Sequence, residues 1–211
     1  ELVSYLALGV AIAFVIYRLL PDAGVRRPPL RGFGGAVLLD DLAAFLSLAI
    51  LAAAGLTVVL STDFLRDKGI PQGEYHGLLL LGTSGMLVLV QSLDLVTFFV
   101  ALEILSLALY ILTGLFRREP RSNEASVKYL LMGAFATGFL LYGVALLYGA
   151  TGSLNLVTIG EKLPRDGGFT VAATGLALTA FAVAHCAFAL TWLRGPAAFD
   201  GLADALRRPT A

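Results

Sequence analysis

The chain has 211 residues, of which 58% are apolar and 14% are charged, and its mean hydropathy is +0.84. Soluble domains have about 45–50% apolar and about 25% charged residues, so this composition excludes a soluble globular protein. The formal net charge is zero, which gives no reason to expect a nucleic-acid partner.

Long apolar runs predict an all-α membrane bundle of about six transmembrane helices. About 20 residues span the ~30 Å hydrocarbon core, and helices are favoured because lipid leaves backbone groups no other partner. Residues 1–194 form the expected transmembrane domain, and residues 195–211 form a polar tail with an Ala-rich stretch typical of a short surface helix. The expected spans are roughly 2–20, 37–60, 75–92, 95–116, 125–149 and 170–193.

Polar residues mark several expected helix boundaries. Asp40 suits the N-terminus of the second span, and Asp94 suits that of the fourth, because carboxylates are stabilised at helix N-termini. Between the fourth and fifth spans, Pro120 is expected to break any helix, with Ser122 or Asn123 as a natural N-cap of the fifth.

Basic residues are unevenly divided between the two sides of the expected bundle. The side with the greater number holds loops 61–74 and 117–124, and the positive-inside rule therefore places these loops in the cytoplasm. Nine lie on that side: Arg66, Lys68, Arg117, Arg118, Arg121, Lys128, Arg194, Arg207 and Arg208. Six lie on the other: Arg18, Arg26, Arg27, Arg31, Lys162 and Arg165.

Glu103 is the most informative candidate, because it lies inside the fourth span among apolar residues. An ionisable side chain at the centre of a transmembrane helix costs roughly 2.5–3.5 kcal/mol on insertion scales, so it is a functional candidate by default. Ser106, Tyr110 and Thr113 fall within about 80° of it at ~100° per residue, which makes one polar stripe. We favour a proton or ion path over a structural carboxyl that bonds a neighbouring helix.

Two other residues keep two interpretations, and a third has one. Lys128, about one turn into the fifth span, is either a buried cation that pairs with a carboxylate or relays protons, or a snorkelling side chain. His185, near the middle of the sixth span, is either a proton shuttle or a neutral imidazole bonded to a backbone carbonyl, the latter slightly favoured. His76 begins the third span and is expected at the membrane interface.

Sequence motifs for bound groups are absent from the chain. It has no Walker-type phosphate loop, CxxC pair, haem-type histidine pair or dinucleotide fingerprint. The single Cys186 allows neither an internal disulfide nor a thiolate metal cluster. We therefore expect no cofactor, no metal site, no direct nucleotide binding and no catalytic residue.

A series of short motifs between residues 74 and 156 carries a specific resemblance. In order, they are Glu74-Tyr75, Gly82-Thr83-Ser84-Gly85-Met86, Asp94-Leu95, Ala101-Leu102-Glu103-Ile104-Leu105-Ser106-Leu107, Arg121-Ser122-Asn123-Glu124-Ala125, Lys128-Tyr129, Gly133-Ala134-Phe135 and Leu141-Tyr142-Gly143. Together they closely resemble subunit N of the proton-pumping NADH-quinone oxidoreductase, respiratory complex I, which is an antiporter-like membrane subunit. The resembling part is about 40% of the chain.

The resemblance implies a membrane subunit of this translocase that takes part in proton translocation coupled to quinone reduction and holds no redox centre. It implies that Glu103 and Lys128 belong to the proton path. His185 falls near the family's central lysine and stays a further candidate. The implied partners are the lipid bilayer and other membrane subunits of complex I, in a bacterial plasma membrane or an equivalent energy-transducing membrane.

Two departures from the family pattern bear on this interpretation. The family has about fourteen helices, and its next helix carries a central lysine and an interrupting proline that the sixth span lacks. We therefore expect an N-terminal fragment of subunit N or a shortened homologue. The alternatives are a non-pumping structural membrane subunit and a related cation–proton antiporter subunit.

Overall fold

The computed structural model describes residues 2–20, 28–162 and 173–174 of the chain. The elements are helices α1 (Leu2–Leu19), α2 (Asp41–Asp67), α3 (Gln72–Gln91), α4 (Leu95–Thr113), α5 (Pro120–Thr151) and α6 (Leu156–Lys162), with strands β1 (Leu30–Gly32) and β2 (Val37–Leu39) between α1 and α2. Helices α1 to α5 are long and apolar enough to cross a membrane, which agrees with the predicted all-α membrane bundle. The sixth expected span and the tail lie outside the described residues, except for residues 173–174.

Helices that follow each other in the chain pack side by side, α1 on α2, α2 on α3, α3 on α4 and α4 on α5. The α1–α2 contact buries small and branched side chains such as Leu8, Leu51 and Val58. Many other large apolar side chains are exposed, for example Val10 and Leu131. Exposed apolar surface on this scale fits a lipid environment, because soluble monomers rarely expose large contiguous apolar patches.

The start of the second expected span is wrong, because residues 37–39 form β2 and the helix begins at Asp41. Strands β1 and β2 pair antiparallel around a tight turn in which Gly34 and Gly35 have positive φ. Arg18, buried at the end of α1, donates hydrogen bonds to the carbonyls of Pro28 (3.0 Å) and Leu39 (3.4 Å), which holds the hairpin on α1.

The expected start of the fifth span is also wrong, because α5 begins at Pro120. A proline suits the first turn of a helix, where its missing N–H would have no partner anyway. Glu119 is the N-cap residue, so Ser122 and Asn123 lie inside the first turn. The two expected aspartate caps are confirmed: Asp40 accepts a hydrogen bond from Ala43 N, and Asp94 accepts from Val96 N.

The connections gather at the two opposite ends of the bundle. At one end, Leu93 in the α3–α4 turn donates its N–H to Ala36 O and accepts from Leu156 N, both at 2.8 Å. At the other end, Arg117 in the α4–α5 loop bonds Glu74 at the start of α3 at 3.0 Å. Loops 61–74 and 117–124 therefore lie at the same end.

Candidate functional site

Helices α3 and α4 approach closely because two glycines of α3 face small residues of α4. A Cβ atom added at Gly85 would lie 2.9 Å from Leu105 N and 3.0 Å from Ala101 O. One at Gly82 would lie 3.4 Å from the Cβ atom of Ala108. This contact fixes which face of α4 is turned toward α3.

Glu103 lies on the opposite face of α4. At ~100° per residue it is roughly 160° away from Ala101 and within about 20° of Tyr110. It is also near the middle of the helix, about 12 Å and 15 Å from the two ends. Its Oε1 atom is buried and accepts no hydrogen bond from a described residue. A buried polar group without a hydrogen bond lowers the stability of the fold by about 1–3 kcal/mol. A function that needs this group would explain why it is present.

Tyr110 connects the Glu103 face of α4 to α5. The residue is 7% exposed, and its side chain interacts with that of Ser106. Its ring meets Tyr129 of α5 edge to face, with the ring centroids 4.7 Å apart. The hydroxyl lies directly over Gly133, where an added Cβ would be 1.7 Å from the Tyr110 oxygen. Gly133 is therefore the position that lets Tyr110 lie across α5.

The polar stripe expected on α4 is thus present in part. Glu103, Ser106 and Tyr110 share one face, and Glu103 interacts electrostatically with Tyr110. Thr113 instead donates its hydroxyl to the carbonyl of Leu109 at 2.8 Å within the same helix. The helical spacing identifies Tyr110 but does not indicate that Tyr129 and Gly133 lie across from it.

Lys128 lies deeper in its helix than expected, and it pairs with a carboxylate, which was one of its expected roles. Because α5 begins at Pro120, Lys128 lies about 12 Å inside the helix, more than two turns from its start. It forms an ion pair with Glu124, one turn earlier, and its side chain is 32% exposed. It lies about 140° around α5 from Gly133. The i, i+4 spacing of Glu124 and Lys128 allows this ion pair, and the sequence reasoning did not identify Glu124 as the partner.

The predictions for the two histidines have different outcomes. His76, expected at the membrane interface, lies near the start of α3 and is only 3% exposed, so protein surrounds its side chain there. Its ring meets Tyr75 edge to face, and neither ring nitrogen bonds a described residue. His185 lies outside the described residues. Within the part of the chain that the structure describes, no three His, Cys, Asp or Glu residues are grouped to hold a metal ion.

Residues 92–198 match a family described as NADH:quinone oxidoreductase/Mrp antiporter, transmembrane. The chain belongs to this family. The matched range contains Glu103, Tyr110 and Lys128, and starts after His76. The chain is thus an integral membrane protein of the antiporter-like family, as its sequence resemblance implied.

Curated relatives and solved structures of this family extend the comparison. The chain is 47% identical over 167 residues to NADH-quinone oxidoreductase subunit N 2 of Roseiflexus castenholzii, which covers 79% of this chain and 32% of the relative. It therefore spans about a third of the length of the curated relatives that it matches. This similarity confirms the resemblance to subunit N.

Two solved structures share the fold. Respiratory complex I from Thermus thermophilus contains a chain that is 33% identical, with a TM-score of 0.63 over 86% of this chain and 36% of that one. The Mrp complex from Dietzia sp. DQ12-45-1b contains one that is 22% identical, with a TM-score of 0.58 over 86% and 34%. At that identity, the second likeness shows the fold alone.

Proposed function

We propose that this chain is part of a membrane subunit of NADH-quinone oxidoreductase that carries protons across the bilayer while quinone is reduced elsewhere in the assembly. Its partners are then other membrane subunits of complex I. The subunit lies in a bacterial plasma membrane or an equivalent energy-transducing membrane, with loops 61–74 and 117–124 in the cytoplasm. The observation that carries the proposal is Glu103, an ionisable group at mid-helix whose buried oxygen bonds no described residue.

The face of α4 that bears Glu103 has the chemistry of a proton path. A carboxyl group takes up and releases a proton, and a hydroxyl both donates and accepts hydrogen bonds. Ser106 and Tyr110 supply such hydroxyls on the same face. The Cα atom of Tyr110 lies about 10 Å closer than that of Glu103 to the end that holds loop 117–124. The Tyr110 side chain reaches back to interact with Ser106 and Glu103, so the three groups form one polar cluster on this face.

Lys128 remains in the proposal through its ion pair with Glu124 near the same end of α5. In this role the pair sets the charge beside the path, and movement of either partner changes the field there. His185 stays a further candidate. The chain's own residues supply proton binding and positioning, and the driving reaction takes place in other subunits.

The test is the variant Glu103→Gln in the assembled complex. Glutamine keeps the shape of the side chain but has no proton that titrates. Proton translocation into inverted vesicles would be measured beside NADH oxidation and the amount of assembled complex. We expect the translocation rate to fall by about tenfold or more, since a positioned proton-transfer group contributes ~10²–10⁴-fold. Assembly should stay near normal.

Two further variants make this result specific. Asp63→Asn removes a carboxylate whose side chain is 92% exposed, and we expect normal pumping. Glu103→Asp keeps the titratable group and should retain more pumping than Glu103→Gln. If Glu103→Gln pumps at the normal rate, Glu103 has no role in the proton path, and the non-pumping structural alternative is favoured. Sodium-dependent proton exchange in these vesicles would point to the cation–proton antiporter alternative.

A further inference from the structure

A cavity of about 880 Å³ opens at the end of the bundle that holds loops 61–74 and 117–124. The end of α2, the start of α3 and the α4–α5 loop form its walls. Its volume lies in the ~300–1,000 Å³ range of protein ligand sites. It is separate from the Glu103 face, and none of Glu103, Ser106 and Tyr110 lines it.

The position of this cavity corresponds to the depth of lipid headgroups. Helix α2 has 27 residues and is about 40 Å long, so it exceeds the ~30 Å hydrocarbon core by roughly two turns. The charged residues Asp63, Arg66 and Asp67 favour the C-terminal end of α2 as the end outside the core. The lining residues Phe64 and Lys68 lie there. Helix α4 ends at Thr113, just before the lining residues Leu115 to Glu119. The cavity thus opens where acyl chains meet headgroups.

One part of the wall is apolar. Phe64 and Phe116 meet edge to face, with their centroids 6.0 Å apart, and the Phe64 residue is 51% exposed. Ile70 lies beside them and is 8% exposed. An aromatic pair with one half-exposed ring at the edge of a cavity provides a surface for a hydrocarbon chain.

The other part of the wall is basic. Arg117 is neutralised by Glu74, whereas Lys68 and Arg118 form no ion pair with any described residue. Glu119 also lines the wall, so the charges left after the Arg117–Glu74 pair are two positive and one negative. Helices α3 and α5 both begin here without a cap from a described side chain, which adds positive potential. The wall therefore favours an anion.

We propose that the cavity binds an anionic phospholipid, with its phosphate at Lys68 and Arg118 and an acyl chain along Phe64 and Phe116. Arginine binds phosphate through its planar guanidinium, and each Lys or Arg near a membrane surface adds to the attraction of anionic lipid. Free phosphate has no apolar part that could contact Phe64 and Phe116, so a wall that is both basic and apolar favours a lipid. This site does not depend on the proton path.

The test uses phosphatidylglycerol that carries a photoactivatable diazirine in its acyl chain. The whole complex would be reconstituted in vesicles with this probe and illuminated, and labelled peptides would be mapped by mass spectrometry. We expect adducts on the peptides that contain Phe64 and Phe116. The same diazirine on phosphatidylcholine should label them several-fold less.

The variant pair Lys68→Gln and Arg118→Gln should reduce phosphatidylglycerol labelling by about fivefold or more. The matched control is Arg66→Gln with Arg121→Gln, which removes the same charge from the same two regions outside the cavity wall. The control should label normally. Both pairs would be checked for normal assembly, so that a loss of label reports on the site.

Several results would overturn this proposal. Equal loss of label in the control pair would mean general charge attraction to the surface. Equal labelling by phosphatidylcholine would remove the selectivity for anionic lipid. Displacement of the label by inorganic phosphate would mean a phosphate site. The absence of both labels from these peptides in the assembled complex would mean that protein covers the cavity.

Discussion

Replacing Gly85 with leucine is expected to separate α3 from α4 and to prevent stable assembly. A Cβ atom there already lies 2.9 Å and 3.0 Å from two backbone atoms of α4, and backbone cannot rotate away as a side chain does. Overpacking a tight contact costs about 1–3 kcal/mol and occasionally more, and leucine adds three further carbons beyond Cβ. We expect a cost at or above the upper end of that range.

The measurement is the yield of intact complex on native gels, with the melting temperature of whatever assembles. Gly77→Leu is the matched control on the same helix, because no described atom outside its own stretch of helix lies within 4 Å of a Cβ there. The control should assemble normally. If Gly85→Leu assembles equally well, the close contact between α3 and α4 is incorrect.

Gly133→Ala is expected to displace Tyr110 and to reduce both stability and proton translocation. The new methyl carbon would overlap the Tyr110 ring, at 1.7 Å from its oxygen and 2.5 Å from Cζ. The ring would have to leave its contact with Tyr129, and such aromatic pairs contribute about 0.5–1.5 kcal/mol beyond their buried area. With the overpacking term, we expect a loss of about 1–3 kcal/mol.

Gly138→Ala on the same helix is the control, since no described atom outside the helix lies within 4 Å of a Cβ there. Alanine is favoured over glycine inside a helix, so this variant should be neutral or slightly stabilising. In a Tyr110→Leu background the effect of Gly133→Ala should largely disappear, because the ring that it displaces is gone. Additive losses in the double variant would show that the two residues do not interact.

The sequence predicted the membrane helices α1 to α5 but misplaced the starts of α2 and α5, for a physical reason. Length and hydropathy are local properties, so the apolar runs identified α1 to α5. The start of α2 depends on a hairpin that Arg18 and the α3–α4 turn hold in place, and such contacts cannot be read from the run itself. Pro120 was misjudged because the same residue ends one helix or begins another.

The candidate site was predictable on its own helix and not beyond it. The ~100° rotation per residue is enough to place Glu103, Ser106 and Tyr110 on one face of α4. Which residues lie across from that face depends on helix packing, so Tyr129 and Gly133 were missed. The burial of His76 has the same origin, because a polar residue near a helix start gives no indication of what covers it.

The two ends of the bundle differ in what ties α4 to its neighbours. At the α3–α4 turn, backbone hydrogen bonds from Leu93 run to the hairpin and to the start of α6. At the opposite end the ties are side chains, the Arg117–Glu74 ion pair and the Phe64–Phe116 contact, around an open cavity. The Gly85 and Gly82 contacts hold α4 against α3 as far as Ala108. Beyond Ala108, rotamer changes in the four side chains of that ion pair and that aromatic contact would change the width of the cavity and leave the spacing at the turn unchanged.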